Sequence, residues 1–329
     1  MDIALIGATG LVGEMMIRVL EEQQIPFTNF IPCASERSVG REITVQGKPC
    51  KVQSVEDAIK AKPRLAIFSA GATTARKYAK AFAENGAYVI DNSSAFRGMD
   101  EVPLVVPEVN AGSITQSTRI IANPNCSTIQ MVLPISSIYQ EYGIKRLVIS
   151  TYQSVTGTGT NAVRQLFNER EGKSGEMAYP HPIDLNCFPH GGDFDENGDS
   201  AEEMKLVNET RKILGAPGIQ ITATVVRIPV MGGHSEAVNI ETEKPFRPED
   251  VRNLLENTPG VVVQDNPQNS IYPMPRYAEG RDEVFVGRIR RDHSLDNGIN
   301  LWIVADNLRK GAATNAIQIA RYLIDRNWL

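Results

Sequence analysis

The first half of the chain alternates short apolar runs with stretches whose apolar residues recur at helical spacing. Asp2 to Ile6 has the pattern of a buried strand, and Leu11 to Glu22 follows it as an amphipathic helix that ends before Pro26. Three further strands and one helix are predicted at Phe27 to Ala34, Leu65 to Phe68, Tyr88 to Ile90 and, for the helix, Thr73 to Asn85. This alternation is typical of parallel strands joined by crossover helices, so we expect an α/β fold with a doubly wound, Rossmann-type sheet.

The second half has a different pattern. A long helix is predicted over Ser127 to Tyr142, and an amphipathic helix over Lys310 to Arg326 near the end of the chain. Between them lie longer, alternating strand patterns at Arg146 to Tyr152, Gln220 to Arg227, Val238 to Glu243, Val284 to Arg290 and Asn300 to Ala305. These strands fit an α+β domain with one mixed sheet covered on one face, and the polar stretch from Gly172 to Ser200 is predicted to be loop.

Composition excludes several classes of protein. The 329 residues are enough for about two domains, and 42% hydrophobic with 22% charged residues is ordinary for a globular chain. Lys and Arg total 34 against 39 Asp and Glu, without a basic block, so we expect no nucleic-acid partner. The chain also has no apolar run of membrane-spanning length and does not begin like a signal peptide, so we expect a cytoplasmic protein with no membrane partner.

No metal site is predicted. The four cysteines include no Cys-x-x-Cys pair, and no close cluster of His and Cys has the spacing that zinc selects. Asp193 to Gly198 reproduces the first half of a calcium-binding EF-hand loop, but Met204 stands where that loop needs its bidentate Glu. We therefore interpret this stretch as an acidic surface loop.

Three glycines form a candidate phosphate loop. Gly7, Gly10 and Gly13 lie between the first strand and the first helix, where absent side chains let backbone N–H groups approach a pyrophosphate at the helix N-terminus. Their first spacing departs from Gly-x-Gly-x-x-Gly, and a plain tight turn is the alternative. The position after the opening strand favours a dinucleotide site.

The residues after the second strand bear on which dinucleotide binds. Glu36 could accept a hydrogen bond from an adenosine ribose, as an acid at this place does in NAD-binding proteins. Arg37, with the hydroxyls of Ser35 and Ser38, is better matched to the 2′-phosphate of NADP, because a guanidinium offers a bidentate fork to phosphate oxygens. A solvated polar loop is the third reading.

Cys126 is the candidate nucleophile. It lies in Asn-Pro-Asn-Cys-Ser-Thr at the predicted start of a helix, where the helix dipole and unpaired N–H groups favour the thiolate. The same N–H groups and the Asn125 side chain could stabilise an oxyanion. His234 follows a Gly-Gly turn and has the best setting of the four histidines for acid/base work. The alternatives are a buried structural cysteine and an ordinary loop histidine.

Together these motifs resemble the aspartate-semialdehyde dehydrogenase family over nearly the whole chain. The resemblance extends to blocks ending at Arg97, around Glu108 and around Gln153, to Glu202–Lys205, and to Lys-Gly-Ala-Ala-Thr-Asn near the end. It implies NADPH-dependent reductive dephosphorylation of L-4-aspartyl phosphate to the semialdehyde, on the route to lysine, threonine and methionine. The Asn-Cys-Ser sequence at the nucleophile favours the aspartyl substrate over that of the related acyl-glutamyl-phosphate reductases.

The resemblance also implies individual roles. Cys126 forms a thioester, His234 is the acid/base and Gln153 orients the acyl group. Arg227 binds the substrate carboxylate, Glu202 faces its ammonium, Arg97 and Lys205 bind phosphate, and Asn125 belongs to the same site. The cofactor site gains seven residues beyond those above, namely Thr9, Leu11, Val12, Ser69, Gly71, Gly157 and Asn315. For Glu202 and Lys205, a solvated helix face is the alternative.

Domain organisation follows in the same way. We expect a dinucleotide-binding domain over 1–125, a catalytic and dimerisation domain over 126–309, and a C-terminal helix over 310–329 that returns to the first domain. The expected partners are a small-molecule substrate, inorganic phosphate and a second copy of the chain. A catalytically silent NADP-binding paralogue and a hydrolase using the same Cys and His are the competing functions, and neither explains both the glycine loop and the four residues Cys126, Gln153, Arg227 and His234.

Overall fold

The computed structural model describes all residues from 1 to 329, which form two compact units. The first unit comprises Met1–Asn125 together with Ala312–Leu329, and the second comprises Cys126–Gly311. None of the helices combines the length and the apolar character that crossing a bilayer requires.

Thirteen strands and ten α-helices make up the two units. The strands are β1 (Asp2–Ile6), β2 (Asn29–Cys33), β3 (Glu42–Val45), β4 (Lys48–Lys51), β5 (Leu65–Phe68), β6 (Tyr88–Asp91), β7 (Ile120–Ala122), β8 (Ile144–Gln153), β9 (Gln220–Arg227), β10 (His234–Thr242), β11 (Val261–Val263), β12 (Val284–Asp292) and β13 (Gly298–Ala305). The helices are α1 (Leu11–Glu22), α2 (Val55–Ala61), α3 (Ala72–Glu84), α4 (Pro107–Asn110), α5 (Cys126–Tyr142), α6 (Thr160–Arg170), α7 (Ala201–Leu214), α8 (Pro248–Glu256), α9 (Pro275–Ala278) and α10 (Thr314–Asp325).

The first unit contains the predicted parallel sheet. Its strand order is β2-β1-β5-β6-β7, and every neighbouring pair is parallel. Strands β5 and β6 are buried throughout, as expected when helices cover both faces of such a sheet. Helix α10 shares one apolar core with β1 and α1, through residues such as Leu5, Leu20 and Ile317. The Rossmann-type prediction is confirmed, and β1 and α1 have the predicted bounds.

The sequence pattern missed the β3–β4 hairpin. Both central residues of its turn have positive φ, +49° at Gln46 and +72° at Gly47, as a two-residue type I′ turn requires. Asn usually precedes Gly in such turns, and Gln46 gives a weaker signal. The hairpin strands are also largely exposed, so they carry no clear apolar alternation.

The second unit is built on a six-stranded mixed sheet of order β11-β12-β13-β10-β8-β9. The outermost pair on each side is parallel, and the inner pairs are antiparallel, which confirms the prediction of a mixed sheet. Helix α5 packs against this sheet and is buried almost all round from Ser127 to Ile138, with Pro134 inside it. It begins at Cys126, one residue before the predicted start.

Several strand ends differ from the prediction in a way that matters for the site. Strand β8 continues to Gln153, and β10 begins at His234 rather than Val238. In the parallel β8–β9 pair Gln153 is the register partner of Arg227, and in the antiparallel β8–β10 pair Tyr152 faces Ser235. The carboxyl ends of β8 and β9 and the first residue of β10 therefore lie side by side.

Other differences concern irregular or short elements. The stretch from Gly172 to Ser200 contains no helix or extended strand, as predicted, but seven further elements were not predicted, namely α2, α4, α6, α8, α9, β7 and β11. The expected final helix over Lys310 to Arg326 is divided into a π-helical turn at Arg309–Ala313 and α10. Such π-turns occur often at functional sites.

Candidate active site

The glycine loop of the first unit brings the backbone to the start of α1. Gly7 has φ of +94°, and its N–H donates to the Cys33 carbonyl at 2.8 Å. A Cβ on Gly7 would lie 2.5 Å from the Ser69 carbonyl oxygen, and one on Gly13 would lie 2.1 Å from the Gly7 carbonyl oxygen. Only glycine fits these two positions. Gly10 is the residue before α1 and offers no side-chain cap, so the first N–H groups of the helix are open to an anion.

A cavity of about 450 Å³ adjoins this loop. Of the predicted cofactor residues, its lining includes Gly7, Thr9, Gly10, Ser35 and Ser69. Leu11, Val12 and Gly13 lie in the first turn of α1, and Gly71 precedes α3 with φ of +81°. The cavity, the bare helix start and the close glycine contacts fit a dinucleotide.

The charged residues that line this cavity differ from those predicted from the sequence. Glu36 lines the cavity, whereas Arg37 and Ser38 of the same 3₁₀ turn are not part of the lining, and Arg37 is exposed. The lining cation is Lys77 of α3, which lies 4.5 Å above the Tyr78 ring and near Glu36 and Glu56, and these groups raise the pKa of Lys77. Lys77 and Thr74 were missed, although their i, i+3 spacing on α3 puts them on one helix face.

Asn315 has a buried position in the first unit. Its amide nitrogen donates to the Val105 carbonyl at 2.8 Å and to Asn123 Oδ1 at 2.7 Å. Asn123 in turn donates to Asn92 Oδ1 at 2.7 Å, so three asparagines connect the carboxyl ends of β6 and β7 with α10.

Arg97 and Asn125 also belong to this unit. Arg97 is half-buried and donates to the Asn92 carbonyl at 2.9 Å, and Asn125 is buried.

In the second unit, Gln153 is the centre of a buried hydrogen-bond chain. Its Nε2 donates to Ser127 Oγ at 3.0 Å, and its Oε1 accepts a short hydrogen bond from Arg227 Nη1. Ser127 follows Cys126 in the first turn of α5. Because Gln153 and Arg227 are register partners at the ends of parallel strands, the sheet itself places the guanidinium beside the amide.

His234 is fully buried, and its ring is fixed by the backbone. The Ser154 N–H donates to His234 Nδ1 at 3.0 Å. Burial and the positive charge of Arg227 lower the pKa of His234 to about 3, against a smaller opposite effect of Glu202. The imidazole is therefore neutral near pH 7, and since Nδ1 accepts a hydrogen bond, its proton is on Nε2. No protein group accepts a hydrogen bond from Nε2.

Cys126 lies close to the segment that follows β13, and this segment is in turn hydrogen-bonded to Ser154, the residue that contacts His234. A Cβ at Gly311 would lie 2.9 Å from Cys126 Cβ and 3.5 Å from Asn307 Cβ. Asn307 Oδ1 accepts hydrogen bonds from Ser154 Oγ and Thr156 Oγ1 at 3.1 and 3.0 Å. Asn307 was missed because only the pairing of β13 with β10 brings it to the site.

Gly157 has a role that its sequence motif does not reveal. A Cβ at this position would lie 3.0 Å from His234 Nε2 and 3.7 Å from Asn307 Nδ2. Its backbone has no positive φ, so the absence of a side chain, and not conformational freedom, is what the position needs. Gly157 thus keeps the space beside the Nε2 proton clear, whatever part it has in holding a cofactor.

Glu202 and Lys205 form an ion pair of 2.8 Å on the first turns of α7, with the Glu202 side chain 11% exposed. The predicted loop links this turn to Arg227. The His190 carbonyl accepts from Arg227 Nε at 3.2 Å, and the next carbonyl, that of Gly191, accepts from the Glu202 N–H at 2.9 Å. His190 is half-buried and acts here through its backbone.

The structure therefore brings together Cys126, Gln153, Gly157, Glu202, Arg227 and His234 in one unit. The cation Arg227 and the anion Glu202 both act electrostatically on the neutral imidazole of His234, with opposite effects on its pKa. No group of His, Cys, Asp and Glu side chains has an arrangement that could hold a metal ion.

Comparison with known proteins gives a consistent assignment. Residues 2–117 match the family described as semialdehyde dehydrogenase, NAD binding domain, and residues 135–310 match semialdehyde dehydrogenase, dimerisation domain. An aspartate-semialdehyde dehydrogenase of Aquifex aeolicus is 51% identical over 98% of this chain and 97% of its own length. One from Legionella pneumophila is 46% identical over 98% of this chain and 95% of its own.

Solved structures agree. Aspartate semialdehyde dehydrogenase II of Vibrio cholerae, complexed with ASA, has a TM-score of 0.94 at 44% identity and covers 98% of both chains. The Candida albicans enzyme with NADP has a TM-score of 0.79 at 26% identity, covering 100% of this chain and 99% of its own. With a nucleotide loop, a helix-start thiol and a buried imidazole in the expected blocks, the chain belongs to the aspartate-semialdehyde dehydrogenase family, which are oxidoreductases.

Proposed function

We propose that the chain reduces L-4-aspartyl phosphate to L-aspartate 4-semialdehyde with NADPH, releasing phosphate, on the route to lysine, threonine and methionine. The observation that carries the proposal is the hydrogen-bonded group of Gln153, Arg227 and His234 beside the helix that starts at Cys126. A thiol, a proton donor, an amide and a guanidinium are the groups that acyl transfer from an amino-acid phosphate requires. The curated relatives favour the aspartyl over the glutamyl substrate.

Cys126 starts the reaction as a thiolate. Its sulfur forms a bond to the acyl carbon, the bond from that carbon to the phosphate oxygen breaks, and phosphate leaves with the electron pair. N–H groups of the first turn of α5 stabilise the oxyanion. NADPH, when bound, supplies the hydride that reduces the resulting thioester, and the carbon–sulfur bond then breaks to return Cys126 as a thiolate.

His234 enters as an acid. Its Nδ1 is occupied by the Ser154 N–H, and its Nε2 carries the proton, so the resting imidazole can donate to an oxygen but cannot remove a proton from Cys126. The position of Cys126 at the N-terminus of α5 must therefore be enough to favour the thiolate without a neighbouring base. A neutral ring that gave up this proton would become an imidazolate, so His234 acts on the substrate oxygen as a hydrogen-bond donor through Nε2 and transfers a proton only after it has taken one up.

The substrate is held by charges at its two ends. Arg227 offers its guanidinium to the carboxylate, and Glu202 offers its carboxylate to the ammonium. Lys205, and Arg97 of the first unit, are assigned to phosphate. Gln153 links Arg227 to the first turn of α5, so that the acyl group is oriented against Cys126.

The nucleotide cavity supports a nicotinamide cofactor, and we propose NADP. The 2′-phosphate would meet Ser35 and Lys77 of the lining, with Arg37 approaching from the exposed side of the 3₁₀ turn. Glu36 opposes an anion there, and Lys77 lies close enough to offset its charge.

We also propose a homodimer formed by the second unit. Helix α5 covers one face of the six-stranded sheet, and the other face presents half-buried side chains from β8, β10 and β13. Among them Tyr152 and Trp302 pack with ring centroids 5.5 Å apart. A half-exposed face with large aromatic residues suits a subunit interface.

The thiol is tested by Cys126→Ala. The variant should lose semialdehyde oxidation, assayed with semialdehyde, phosphate and NADP, because no thioester can form, and it should bind NADPH as the wild type does. Cys187→Ala, which removes an exposed thiol, is the control and should be fully active. Activity in Cys126→Ala comparable to wild type would overturn the thioester mechanism.

His234→Asn should lower kcat by about 10²- to 10⁴-fold, because the positioned acid is removed while the Asn oxygen can still accept from Ser154. It should also change stability with pH. His234 has a folded pKa of about 3, below its unfolded value, so it lowers stability as pH falls from about 6.5 to about 3, by up to about 1.4 kcal/mol per pH unit.

Denaturant unfolding at several pH values checks this: His234→Asn should show a weaker loss of stability on acidification than wild type. His293→Asn, at an exposed position, should keep the wild-type profile. Equal profiles for wild type and His234→Asn would contradict a neutral, buried imidazole.

Arg227→Lys keeps the charge but loses the planar fork. The KM for semialdehyde should rise about tenfold or more, since a charge-assisted hydrogen bond contributes about 1.5 to 3 kcal/mol. Arg227→Leu should weaken binding further, and Arg164→Lys, at an exposed site on α6, should have no effect. If wild type reduced N-acetylglutamyl phosphate faster than aspartyl phosphate, the proposed substrate would be wrong.

Cofactor choice is tested with Lys77→Ala and Arg37→Ala. Each should lower kcat/KM for NADP by about tenfold to a hundredfold and leave the NAD value nearly unchanged, because only NADP carries the 2′-phosphate. Lys80→Ala, on the same helix but outside the cavity lining, is the matched control. An equal loss with both cofactors would show that these residues do not read the phosphate.

A further inference from the structure

A buried carboxyl group lies directly beneath the proposed catalytic residues. Glu236 is two residues after His234 on β10, is fully buried, and neither of its carboxyl oxygens accepts a hydrogen bond of normal geometry. Alternate residues of a strand share a face, so its side chain points to the same side of the sheet as the His234 imidazole. That side is covered by α5.

The neighbours of Glu236 are neutral. From α5, Ser127 and Gln130 adjoin the carboxyl. In the flanking strands its register partners are Thr151 of β8 and Ile303 of β13. The nearest titratable group on its own strand is His234, which is uncharged. Burial raises the pKa of Glu236 well above its usual value, and the opposing influence comes only from Ser127 and Gln130, which can donate hydrogen bonds to the charged form but are not cations.

The hydrogen bonds of the Gln130 amide indicate that the Glu236 carboxyl is a hydrogen-bond donor. Its Nε2 donates to the His234 carbonyl at 3.2 Å, and its Oε1 is buried without a donor. The reversed amide would set Oε1 against the His234 carbonyl, two acceptors in contact, so the observed orientation is fixed. An ionised Glu236 could accept from Ser127 and from the second Nε2 hydrogen of Gln130 but would leave Oε1 without a donor, whereas a protonated one also carries the O–H that Oε1 lacks.

We propose that Glu236 is a neutral carboxylic acid whose O–H donates to Gln130 Oε1 and thereby fixes the N-terminal part of α5 against β10. It is a positioning residue. Through Gln130 it holds the backbone at His234, and through Ser127 it adjoins the hydroxyl that accepts from Gln153. Its neutrality also spares Cys126 a nearby negative charge, which would disfavour the thiolate. The catalytic consequence rests on the proposed function of Cys126.

Infrared difference spectra between wild type and Glu236→Gln at pH 8 test the protonation state directly. The wild type should show the carbonyl band of a protonated carboxylic acid that the variant lacks, and absence of that band would overturn the proposal. The spectra do not depend on turnover. The infrared test of the Glu236 protonation state therefore remains valid even if Cys126→Ala proved active and the proposed function were wrong.

Positioning is tested with two variants of similar size. Glu236→Gln is neutral and keeps a donor for Gln130, so it should retain kcat/KM and the pH midpoint of Cys126 alkylation by iodoacetamide. Glu236→Met is neutral without a donor and should lower kcat about tenfold or more even in the fraction that remains folded. A downward shift of the alkylation midpoint by about one pH unit in Glu236→Gln would show that the wild-type carboxyl is charged, and would refute the proposal.

If Glu236→Gln lost as much activity as Glu236→Met, an ionised carboxylate would be required and the proposal would be wrong. If Glu236→Met lowered the melting temperature but left kcat and the alkylation rate unchanged, the residue would be structural only, which also contradicts it. Rescue of both kcat and alkylation by Gln, with loss of both in Met, supports a positioning role.

Discussion

The hydrogen bond from the Ser154 N–H to His234 Nδ1 is the contact on which the rest of the site depends. It joins the residue after β8 to the first residue of β10, so it forms only if the antiparallel register places Tyr152 opposite Ser235. By occupying Nδ1 it determines which nitrogen carries the proton. The Nε2 proton then needs open space, and Gly157, where a Cβ would lie 3.0 Å away, provides it. The pairing of β8 with β10 therefore determines the tautomer and the orientation of the His234 ring, and it explains why a residue without a side chain is needed at Gly157.

The second unit separates charged from neutral groups by depth. His234 and Glu236 are buried, and burial lowers the pKa of the first and raises that of the second, so both are held in their uncharged forms. The groups that remain charged, Arg227, Glu202 and Lys205, are less deeply buried and are paired or hydrogen-bonded. This arrangement puts charge where a substrate with a carboxylate, an ammonium and a phosphate would meet it, and keeps charge away from the helix start that activates Cys126.

Periodicity could predict the regular elements, and motifs could predict the residues that act through their side chains. Strand β1, helix α1 and strand β9 have the predicted bounds because their apolar spacing is unambiguous. The β3–β4 hairpin was missed because its strands are largely exposed. Asn307, Gln130 and Glu236 were missed for another reason: each depends on partners far away in sequence that only the sheet register and α5 bring together. A lone Asn, Gln or Glu has no local signal for that role.

The loop between α6 and α7 shows how an irregular segment can be structurally necessary. Phe188 pairs with Arg227 in an isolated antiparallel bridge, donating to and accepting from its backbone. Two carbonyls further along the loop accept hydrogen bonds from the site: that of His190 from the Arg227 side chain, and that of Gly191 from the Glu202 N–H. A Cβ at Gly191 would lie 2.6 Å from Glu202 Cβ, so the loop must pass this point as backbone alone. A segment without regular structure therefore contacts both the cation and the anion of the site through its backbone.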